Sequence, residues 1–393
     1  MKRQRRVALL IESSNAYGRG LLRGVVAYVR EHRPWSFYLV EQGRGDPPPA
    51  WLADWDGDGI IARIENPRIA RAIAKSKRPA VDVSAARLIP SIPWVETNDA
   101  AIAKVVAEHL LARGFKHFGF CGDARFNWSK WRAEKFQELV AAAGCSCSVY
   151  QPKELKSDRV EHQIAGIAAW LRKLRKPVGV MACYDIRAQQ VLVACRSLGF
   201  AVPDEVAVVG VDNDELLCDL CSPPLSSVIP NNHQAGYEAA RLLDQMMSGA
   251  KLPPVAHLIE PIRVAVRQSS DVLAVHDRDV ALAMHHIREN ACDGINVEDV
   301  LRAVPLSRRV LESRFKKLLG ITPHEEILRV QLGRVKQLLT ETDLSLFEIA
   351  GRTGFEHVEY LSVAFKREVG VPPSVFRIQN AKIKMLSDQL GPV

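Results

Sequence analysis

Polar side chains recur directly after short apolar runs between Val7 and Ile262. They form four groups, made up of Ser13, Ser14 and Asn15; Asp123 and Arg125; Tyr184, Asp185 and Arg187; and Asp212, Asn213 and Asp214. Carboxylates accept hydrogen bonds from neighbouring hydroxyls, and Arg and Asn side chains donate to hydroxyl or ring oxygens. The set is poor in lysine and has no metal-ligand spacing. It therefore predicts a small, polar, neutral ligand and no metal ion.

Each of these residues also has a purely structural interpretation. Asp185 and Asp212 could cap a helix or close a turn between a strand and a helix. Trp128 and Trp131 offer flat apolar faces to the C–H surface of a sugar, but taken alone each is more often a core residue than a stacking surface. The convergence of several polar groups on one edge favours ligand binding, whereas no single residue does.

The elements that would position these groups alternate along the chain. Strand-like apolar runs are separated by amphipathic helical segments, and the runs are Val7–Ile11, Phe37–Val40, Gly59–Ala62, Ala80–Val83, His117–Cys121, Val178–Cys183 and Val206–Val211. This pattern is typical of an α/β fold with a parallel sheet covered on both faces. Its length of about 260 residues favours two similar lobes with a ligand cleft between them. In such sheets ligands bind beyond the carboxyl ends of the strands.

A glycine pattern near the start suggests a rival function. Gly18, Gly20 and Gly24, with Glu41 after the second run, imitate a dinucleotide-binding fingerprint. The alternative is therefore a nucleotide-dependent oxidoreductase or a sugar-modifying enzyme. However, six residues separate Ile11 from Gly18, so the glycines are predicted to lie inside a helix that packs on its neighbour. No matched general base is evident, and we predict no enzyme and no cofactor.

Composition narrows the class of protein further. The chain has 393 residues, 47% of them hydrophobic, and a formal net charge of +8, which mildly favours a polyanionic partner. No apolar stretch approaches the roughly 18 residues of a membrane span, and Val7–Ile11 is too short for the core of a signal peptide. The absent export signal argues against a transport binding protein. Eight scattered cysteines are predicted to be thiols in a reducing cytosol, and the expected location is cytoplasmic.

The last third of the chain contains an internal repeat. The segment from Phe315 to Pro323 is echoed fifty positions later from Phe365 to Pro373, and Leu311 pairs with Leu361 at the same offset. Ahead of the second copy, Ser345–Glu348 forms a predicted capping box, and Ser307 is a predicted N-cap in the first. The pattern predicts an all-α domain with two helix-turn-helix units, whose second helices would enter successive major grooves of DNA.

Charge supports DNA binding by the first unit. Arg302, Arg308, Arg309, Arg314, Lys316 and Lys317 lie close together, opposed by Glu312 alone. Any one of these cations could belong to a solvated helix face, whereas the cluster favours DNA. The predicted DNA-contacting residues are Arg308, Arg309, Glu312, Arg314, Lys316 and Lys317 in the first unit, and His357, Glu359, Ser362 and Lys366 in the second. Arg309 could fork onto guanine, and Glu312 could accept from cytosine.

Two resemblances extend this interpretation. The pieces Ile349-Ala350, Gly354-Phe355, Phe365-Lys366 and Pro372-Pro373 resemble the DNA-binding domains of the AraC/XylS family. The first 270 residues resemble the sugar-sensing domains of LacI-type repressors, which share the periplasmic sugar-binding fold, at Tyr184-Asp185, Gly210–Asn213 and Arg132. The combination is similar to a family of xylose-responsive regulators. The resemblance departs at Ser313, where such domains often carry Arg, so no operator sequence is carried over.

The resemblance implies a set of functional roles. The effector would be D-xylose, held by Arg132, Asp185 and Asp212 and lined by Trp128, and the chain would be an activator that works as a homodimer with RNA polymerase. The full set of predicted sugar-binding residues is Asn15, Trp128, Arg132, Asp185, Arg187, Asp212 and Asn213. The predicted domains are a sensor at 1–270, a linker at 271–278, a DNA-binding domain at 279–385 and a tail at 386–393.

Overall fold

The chain forms two compact units, residues 1–272 and 273–393. The computed structural model describes residues 3–41, 43, 46–150, 152, 159–271 and 277–379. Most of the predicted linker at 271–278 and the whole predicted tail at 386–393 lie outside the described residues.

The first unit contains two six-stranded sheets, each at the centre of one lobe. Lobe A has the strand order β11-β5-β4-β3-β1-β2, all parallel, with bounds β1 (Arg5–Leu10), β2 (Trp35–Leu39), β3 (Gly59–Ala62), β4 (Ala80–Asp82), β5 (Trp94–Thr97) and β11 (Ala256–Ile259). Lobe B has the order β12-β10-β9-β8-β6-β7, with bounds β6 (His117–Cys121), β7 (Ser146–Tyr150), β8 (Val178–Ala182), β9 (Val206–Val211), β10 (Ser226–Ile229) and β12 (Arg263–Ala265). Among the described strands of lobe B, β12 pairs with β10 in antiparallel fashion and the other pairings are parallel. The predicted two-lobed α/β fold is confirmed.

Helices cover both faces of these sheets. Their bounds are α1 (Ala16–Glu31), α2 (Pro67–Ser76), α3 (Asp99–Ala112), α4 (Asn127–Ala142), α5 (Val160–Lys173), α6 (Asp185–Leu198), α7 (Glu215–Leu220) and α8 (Asn232–Met247). In lobe A, α1 and α8 pack on one face and α2 on the other; in lobe B, α5 and α6 share a core with β8 and β9. The chain passes between the lobes three times, after β5, β10 and β11. These crossings place the carboxyl ends of most strands around a cleft between the two lobes.

The glycines of the nucleotide-like pattern lie inside α1. A Cβ atom on Gly24 would come 1.9 Å from the carbonyl oxygen of His233, and one on Gly20 would come 2.3 Å from Cγ of Asn232. Both partners belong to α8, so the glycines allow α1 and α8 to approach closely. The prediction that these glycines pack a helix on its neighbour is confirmed.

The second unit is helical. Its helices are α9 (Arg278–Asn290), α10 (Val297–Ala303), α11 (Arg308–Leu319), α12 (Pro323–Glu341), α13 (Leu346–Gly351) and α14 (Val358–Val369), followed by a helical segment at 373–379. We call α10 and α11 the first helix pair, and α13 and α14 the second. Helices α11 and α14 begin and end fifty residues apart, and each ends at a glycine in the left-handed region, with φ of 75° at Gly320 and 84° at Gly370. The predicted duplication is therefore present in the fold.

The predicted start signals of these helices differ in outcome. Ser345 Oγ accepts from the backbone N–H of Glu348 at 3.3 Å, and Glu348 Oε2 accepts from the backbone N–H of Ser345 at 2.8 Å, which confirms the capping box. Ser307 occupies the N-cap position of α11, but its side chain makes no capping hydrogen bond. All eight cysteines are free thiols. Among the described helices, none combines the length and the apolar character needed to cross a membrane.

Candidate ligand cavity and nucleic-acid interface

An open cavity lies between the two lobes of the first unit. Polar and aromatic groups predominate in its lining. Lobe A and the start of α3 contribute eight lining residues and lobe B contributes three: Tyr17, Arg63, Val83, Ser84, Ala85, Glu96, Thr97 and Asp99, then Trp128, Arg132 and Asp212. Three of the seven predicted sugar-binding residues are therefore brought together here.

A buried ion pair forms one side of the cavity. Arg132 Nε donates to Asp99 Oδ1 at 2.6 Å, and Arg132 Nη1 donates to the carbonyl oxygen of Cys183 at 2.6 Å. Burial alone would lower the pKa of Arg132, but the charges of Asp99 and Asp212 raise it, so the guanidinium stays charged. A guanidinium has five N–H donors, and these two contacts leave three for a ligand.

A second guanidinium faces the cavity from lobe A. Arg63 Nη1 donates to Glu12 Oε2 at 2.6 Å, and Nη2 forms an ion pair with Glu65. The guanidinium carbon also lies 5.2 Å from the centroid of the Tyr17 ring. Burial raises the pKa of the Tyr17 phenol to about 12, so at neutral pH the phenol is an uncharged donor and acceptor.

Trp128 supplies an aromatic wall. Its ring stacks on Phe126, with centroids 4.9 Å apart and an interplanar angle of 13°, and meets Tyr184 edge-on at 5.7 Å. The Arg132 guanidinium lies 5.0 Å from the Trp128 ring. These contacts fix the orientation of a half-buried indole that lines the cavity. Trp131 is not in the lining; it lies beside the Arg87 guanidinium, 4.5 Å from it.

Asp212 enters the cavity from a strained turn after β9. Its φ is 110° and that of the next residue, Asn213, is 45°, both unusual for residues other than glycine. Strain of this kind costs of the order of 1–3 kcal/mol per residue and persists only where neighbouring contacts impose it. The turn therefore holds the Asp212 carboxylate in a position that an unstrained backbone would not give.

Asp185 provides those neighbouring contacts from behind the cavity. Its carboxylate accepts from Ser227 Oγ at 2.6 Å, from the backbone N–H of Asp214 at 2.9 Å and from Cys218 Sγ at 3.6 Å. Burial raises its pKa well above the usual range, and the charge of Asp212 adds to the rise. Asp185 thus lies behind the turn that carries Asp212 and outside the cavity lining.

The remaining predicted sugar-binding residues also lie outside the cavity lining. Asn15 caps α1, with its Oδ1 accepting from the N–H of Gly18 at 2.7 Å. Arg187 is buried and donates to Asp123, Gln163 and Gln190. Asn213 Oδ1 accepts from Arg267 at 2.9 Å. Each of these side chains is engaged within the protein.

Sequence reasoning missed most of the lining from lobe A. Arg63 directly follows β3 and Ser84 closely follows β4, two predicted strands whose ends were not searched for polar groups. Applying the strand-end rule to them would have found both residues. Glu96 and Thr97 lie in β5, and Asp99 follows this strand closely. The strand has four residues, and the pattern of apolar runs did not reveal it.

The candidate nucleic-acid interface is the exposed side of α11. Arg308 is held between Glu298 and Glu312, at 2.8 and 3.0 Å, and Arg314 contacts Asp277 and Asp279. Three other predicted cations, Arg309, Lys316 and Lys317, are exposed and have no ion-pair partner within the part of the chain that the structure describes. They are the cations most available to an external polyanion.

Helix α14 presents a different surface. His357 is its N-cap residue, Glu359 and Lys366 are exposed, and Ser362 is half-buried. Val363 is 66% exposed on the same helix. The second helix pair thus offers fewer positive charges than the first.

Three family models match the chain in consecutive segments. Residues 6–100 match the XylR N-terminal domain, residues 107–270 the periplasmic binding protein-like domain, and residues 300–379 the helix-turn-helix domain. With the interlobe cavity and the duplicated helix pairs, these matches define a class of transcription regulator in which a periplasmic-binding-protein-like sensor precedes a DNA-reading domain.

Full-length relatives specify the family. The xylose operon regulatory protein of Escherichia coli strain K12 is 33% identical over 391 residues, covering 98% of this chain and 99% of the relative. That of Haemophilus influenzae is 31% identical over 381 residues, covering 95% and 98%. A solved structure of the xylose-binding transcription activator xylR has a TM-score of 0.83 at 32% identity and covers 96% of this chain and 99% of the other. The chain belongs to the family of xylose operon regulatory proteins.

Family membership decides between the hypotheses drawn from the sequence. The relatives are transcription regulators, so this chain is a regulator and not an enzyme, and the oxidoreductase alternative finds no support. A LacI-type regulator from Alkaliphilus metalliredigens, solved with D-xylulofuranose, is 16% identical with a TM-score of 0.55 over 68% of this chain and 99% of the other, and shares the sensor fold alone. The predicted order of sensor followed by helix-turn-helix domain is confirmed.

Proposed function

We propose that the chain activates xylose-utilisation genes when D-xylose binds in the interlobe cavity. The observation that carries this proposal is the meeting of Trp128, Arg132 and Asp212 from lobe B with Asp99 and other polar groups in one cavity. An aldopentose has adjacent hydroxyls and an apolar C–H surface, which match carboxylate and guanidinium groups beside an indole. The names of the full-length relatives point to the same sugar.

In this proposal each lining group has a distinct role. The free N–H groups of Arg132 donate to a sugar oxygen, Asp212 accepts from hydroxyls, and Trp128 packs on the C–H face. Asn15, Asp185, Arg187 and Asn213 act at one remove, because their polar atoms already bind other parts of the protein. Sugar contacted by both lobes would favour the closed arrangement, by as much as its affinity for the two states differs.

The DNA-reading part of the proposal rests on the paired helices. Helices α11 and α14 would enter successive major grooves, about 34 Å apart on one face of the duplex. Exposed Arg309 would read a base edge, while Lys316, Lys317 and Lys366 would bind phosphates and position the protein. The DNA-facing surface of the first helix pair would also include three residues already held in ion pairs, Arg308, Glu312 and Arg314. The second groove would be faced by His357, Glu359 and Ser362.

The same proposal includes the assembly and the setting. The regulator would act in the cytoplasm as a homodimer, binding a double-stranded operator and contacting RNA polymerase. Its working domains would be the sensor at 1–270 and the DNA-binding domain at 279–385, joined by 271–278 and followed by the tail at 386–393. The division of the chain into two compact units near residue 272 supports this arrangement.

Calorimetric titration combined with footprinting tests the proposal. The full chain is titrated with D-xylose, L-arabinose, D-ribose and D-glucose, and the DNA upstream of its own target genes is footprinted with and without each sugar. Binding of D-xylose in preference to its epimers, with stronger protection of DNA in its presence, would support the proposal. Absence of heat with every sugar would contradict the sensing function. Equal protection of the DNA with and without a sugar that binds would contradict the coupling between sugar binding and DNA binding.

A further inference from the structure

Two separate apolar cores attach the helix pairs to α12. The first core joins Ile327 of α12 to α9, α10 and α11, and the second joins Leu328, Leu332, Val335 and Leu339 of α12 to α13 and α14. The two cores share no residue. Apolar packing is non-directional, so it holds each pair on α12 but specifies the rotation of one pair against the other less closely than a hydrogen bond does.

A buried amide lies between the two pairs. The side-chain nitrogen Nε2 of Gln331, in α12, donates to the carbonyl oxygen of Ala291 at 2.9 Å and to that of Gly354 at 3.3 Å. Ala291 begins the turn before α10, and Gly354 lies in the turn between α13 and α14. Only 7% of Gln331 is exposed. A primary amide has two N–H groups, so one side chain satisfies a backbone carbonyl from each side.

The two turns also touch through their backbones. Gly354 has a φ of 73°, and a Cβ atom there would lie 2.6 Å from the carbonyl oxygen of Ala291 and 2.6 Å from the nitrogen of Gly294. Gly354 is therefore required both for its left-handed conformation and for the close approach. We call Gln331, Gly354 and the turn at Ala291–Gly294 the junction.

We infer that the junction sets the distance and rotation between the two DNA-reading helices of one chain, and that it thereby determines which spacing the protein accepts between the two groove segments that these helices contact. This inference rests on the proposed function, in which both α11 and α14 enter DNA. Each added base pair advances the second groove segment by about 3.4 Å and rotates it by about 34°. A pair of helices held rigidly cannot follow such a shift, whereas a pair joined only by apolar packing can follow part of it. Gln331 is in this sense a positioning residue, with no DNA contact of its own.

The test compares spacing preference, which is separate from overall affinity and from stability. The wild-type chain, with D-xylose present, selects an operator from a random duplex library, and derivatives are made with one base pair inserted or deleted between the two adjacent groove segments that one chain protects. Fluorescence anisotropy then gives the Kd of each duplex for wild type, Gln331→Met and Gly354→Ala. Gln337→Met is the matched control, because Gln337 lies on the same helix and accepts from Arg334 within it.

The wild type and Gln337→Met are expected to lose about tenfold or more in affinity on a one-base-pair shift, which corresponds to about 1.4 kcal/mol. Gln331→Met is expected to lose less than about threefold, and Gly354→Ala, which forces the turns apart, to prefer a changed spacing. If either junction variant is folded by circular dichroism and keeps the wild-type ratio, the junction does not set the spacing. If the wild type binds DNA with no spacing preference, the inference also fails, although the proposed function stands. If the wild type selects no duplex at all, the proposed function is what fails.

Discussion

Replacing Arg132 by methionine removes a guanidinium that both pairs with the buried Asp99 and lines the cavity. The change deletes the hydrogen bond to Asp99 and the one to the carbonyl oxygen of Cys183, both 2.6 Å long. It also deletes the three N–H donors that remain for a ligand. Methionine has similar length and little polarity, so the cavity keeps much of its shape.

Two magnitudes follow from this geometry. A hydrogen bond to a charged group contributes about 1.5–3 kcal/mol, so the affinity for D-xylose is expected to fall by about 10- to 100-fold. Removing one partner of a buried ion pair costs about 3–5 kcal/mol of unfolding free energy, because Asp99 is left as an unpaired buried carboxylate. The additional change Asp99→Asn is expected to recover part of this loss, since no buried charge then remains without a partner.

The loss of stability is also expected to depend on pH. Burial raises the pKa of Asp99, and Arg132 opposes that rise, so removing Arg132 raises the pKa further. A carboxyl whose pKa is higher in the folded state loses stability as pH increases from its unfolded value towards its folded value. The variant is therefore expected to be more destabilised at pH 8 than at pH 5.

Calorimetry gives the affinity and urea unfolding gives the stability, with Lys130→Met as the matched control. Lys130 is an exposed cation on the same helix, and both measurements are expected to stay close to wild type for that variant. Xylose affinity in Arg132→Met within about threefold of wild type would refute the role of Arg132 as a sugar donor. Equal losses of stability in the single and double variants would refute the explanation based on an unpaired Asp99.

Three other outcomes are expected. Gly24→Ala is expected to lower the unfolding free energy by about 1–3 kcal/mol, because its Cβ would lie 1.9 Å from the carbonyl oxygen of His233. The matched control is Gly333→Ala, whose Cβ would meet no atom within 4 Å and which is expected to be neutral or stabilising. Thermal unfolding measures both variants. Burial raises the pKa of Asp82 to about 7, so the stability of the wild type should fall as the pH rises from 4 to 7. Asp82→Asn should remove part of this pH dependence, measured as the urea midpoint at each pH. Lys316→Gln and Lys317→Gln should each weaken binding to all duplexes equally and reduce the slope of log affinity against log salt concentration by about one. Arg309→Ala should instead relax the sequence preference at one base. An equal loss of affinity for every sequence would show that Arg309 is a phosphate contact.

Most of the strands that the sequence predicted lie inside the sheets; β2 at an edge was also predicted, and the short inner strands β5 and β10 were missed. Val206–Val211 is a continuous apolar run because β9 is buried on both faces, and its bounds were predicted without error. By contrast, β7 at Ser146–Tyr150 is a sheet edge with no fully buried residue, and β12 has three residues, so neither carries a run of apolar side chains. Such strands are held by a neighbouring strand more than by their own composition, which a search for apolar runs does not detect.

The cavity was predicted in outline, but three of its eleven lining residues were predicted and the other eight were not. Trp128, Arg132 and Asp212 came from motifs and strand ends in lobe B, whereas Arg63 and Glu96 from lobe A were missed. Asp185 was predicted because it follows β8 closely, yet its side chain points back to Ser227 and Cys218. Position after a strand places a residue near the edge of the sheet, but the direction of the side chain depends on partners that are distant in sequence.

Asp185 lies behind Asp212, so two carboxyl groups are close together on this side of the cavity. Two adjacent carboxylates repel each other, and burial together with Asp212 raises the pKa of Asp185 well above its usual range. Asp185 still orders the turn when protonated, because its oxygens can accept from Ser227 Oγ and from the backbone N–H of Asp214. The same contacts support the turn that carries Asp212, whose φ is 110°. Gly210 completes this support: a Cβ atom there would lie 2.3 Å from Asp185 Oδ1 and would displace the carboxyl that holds the turn.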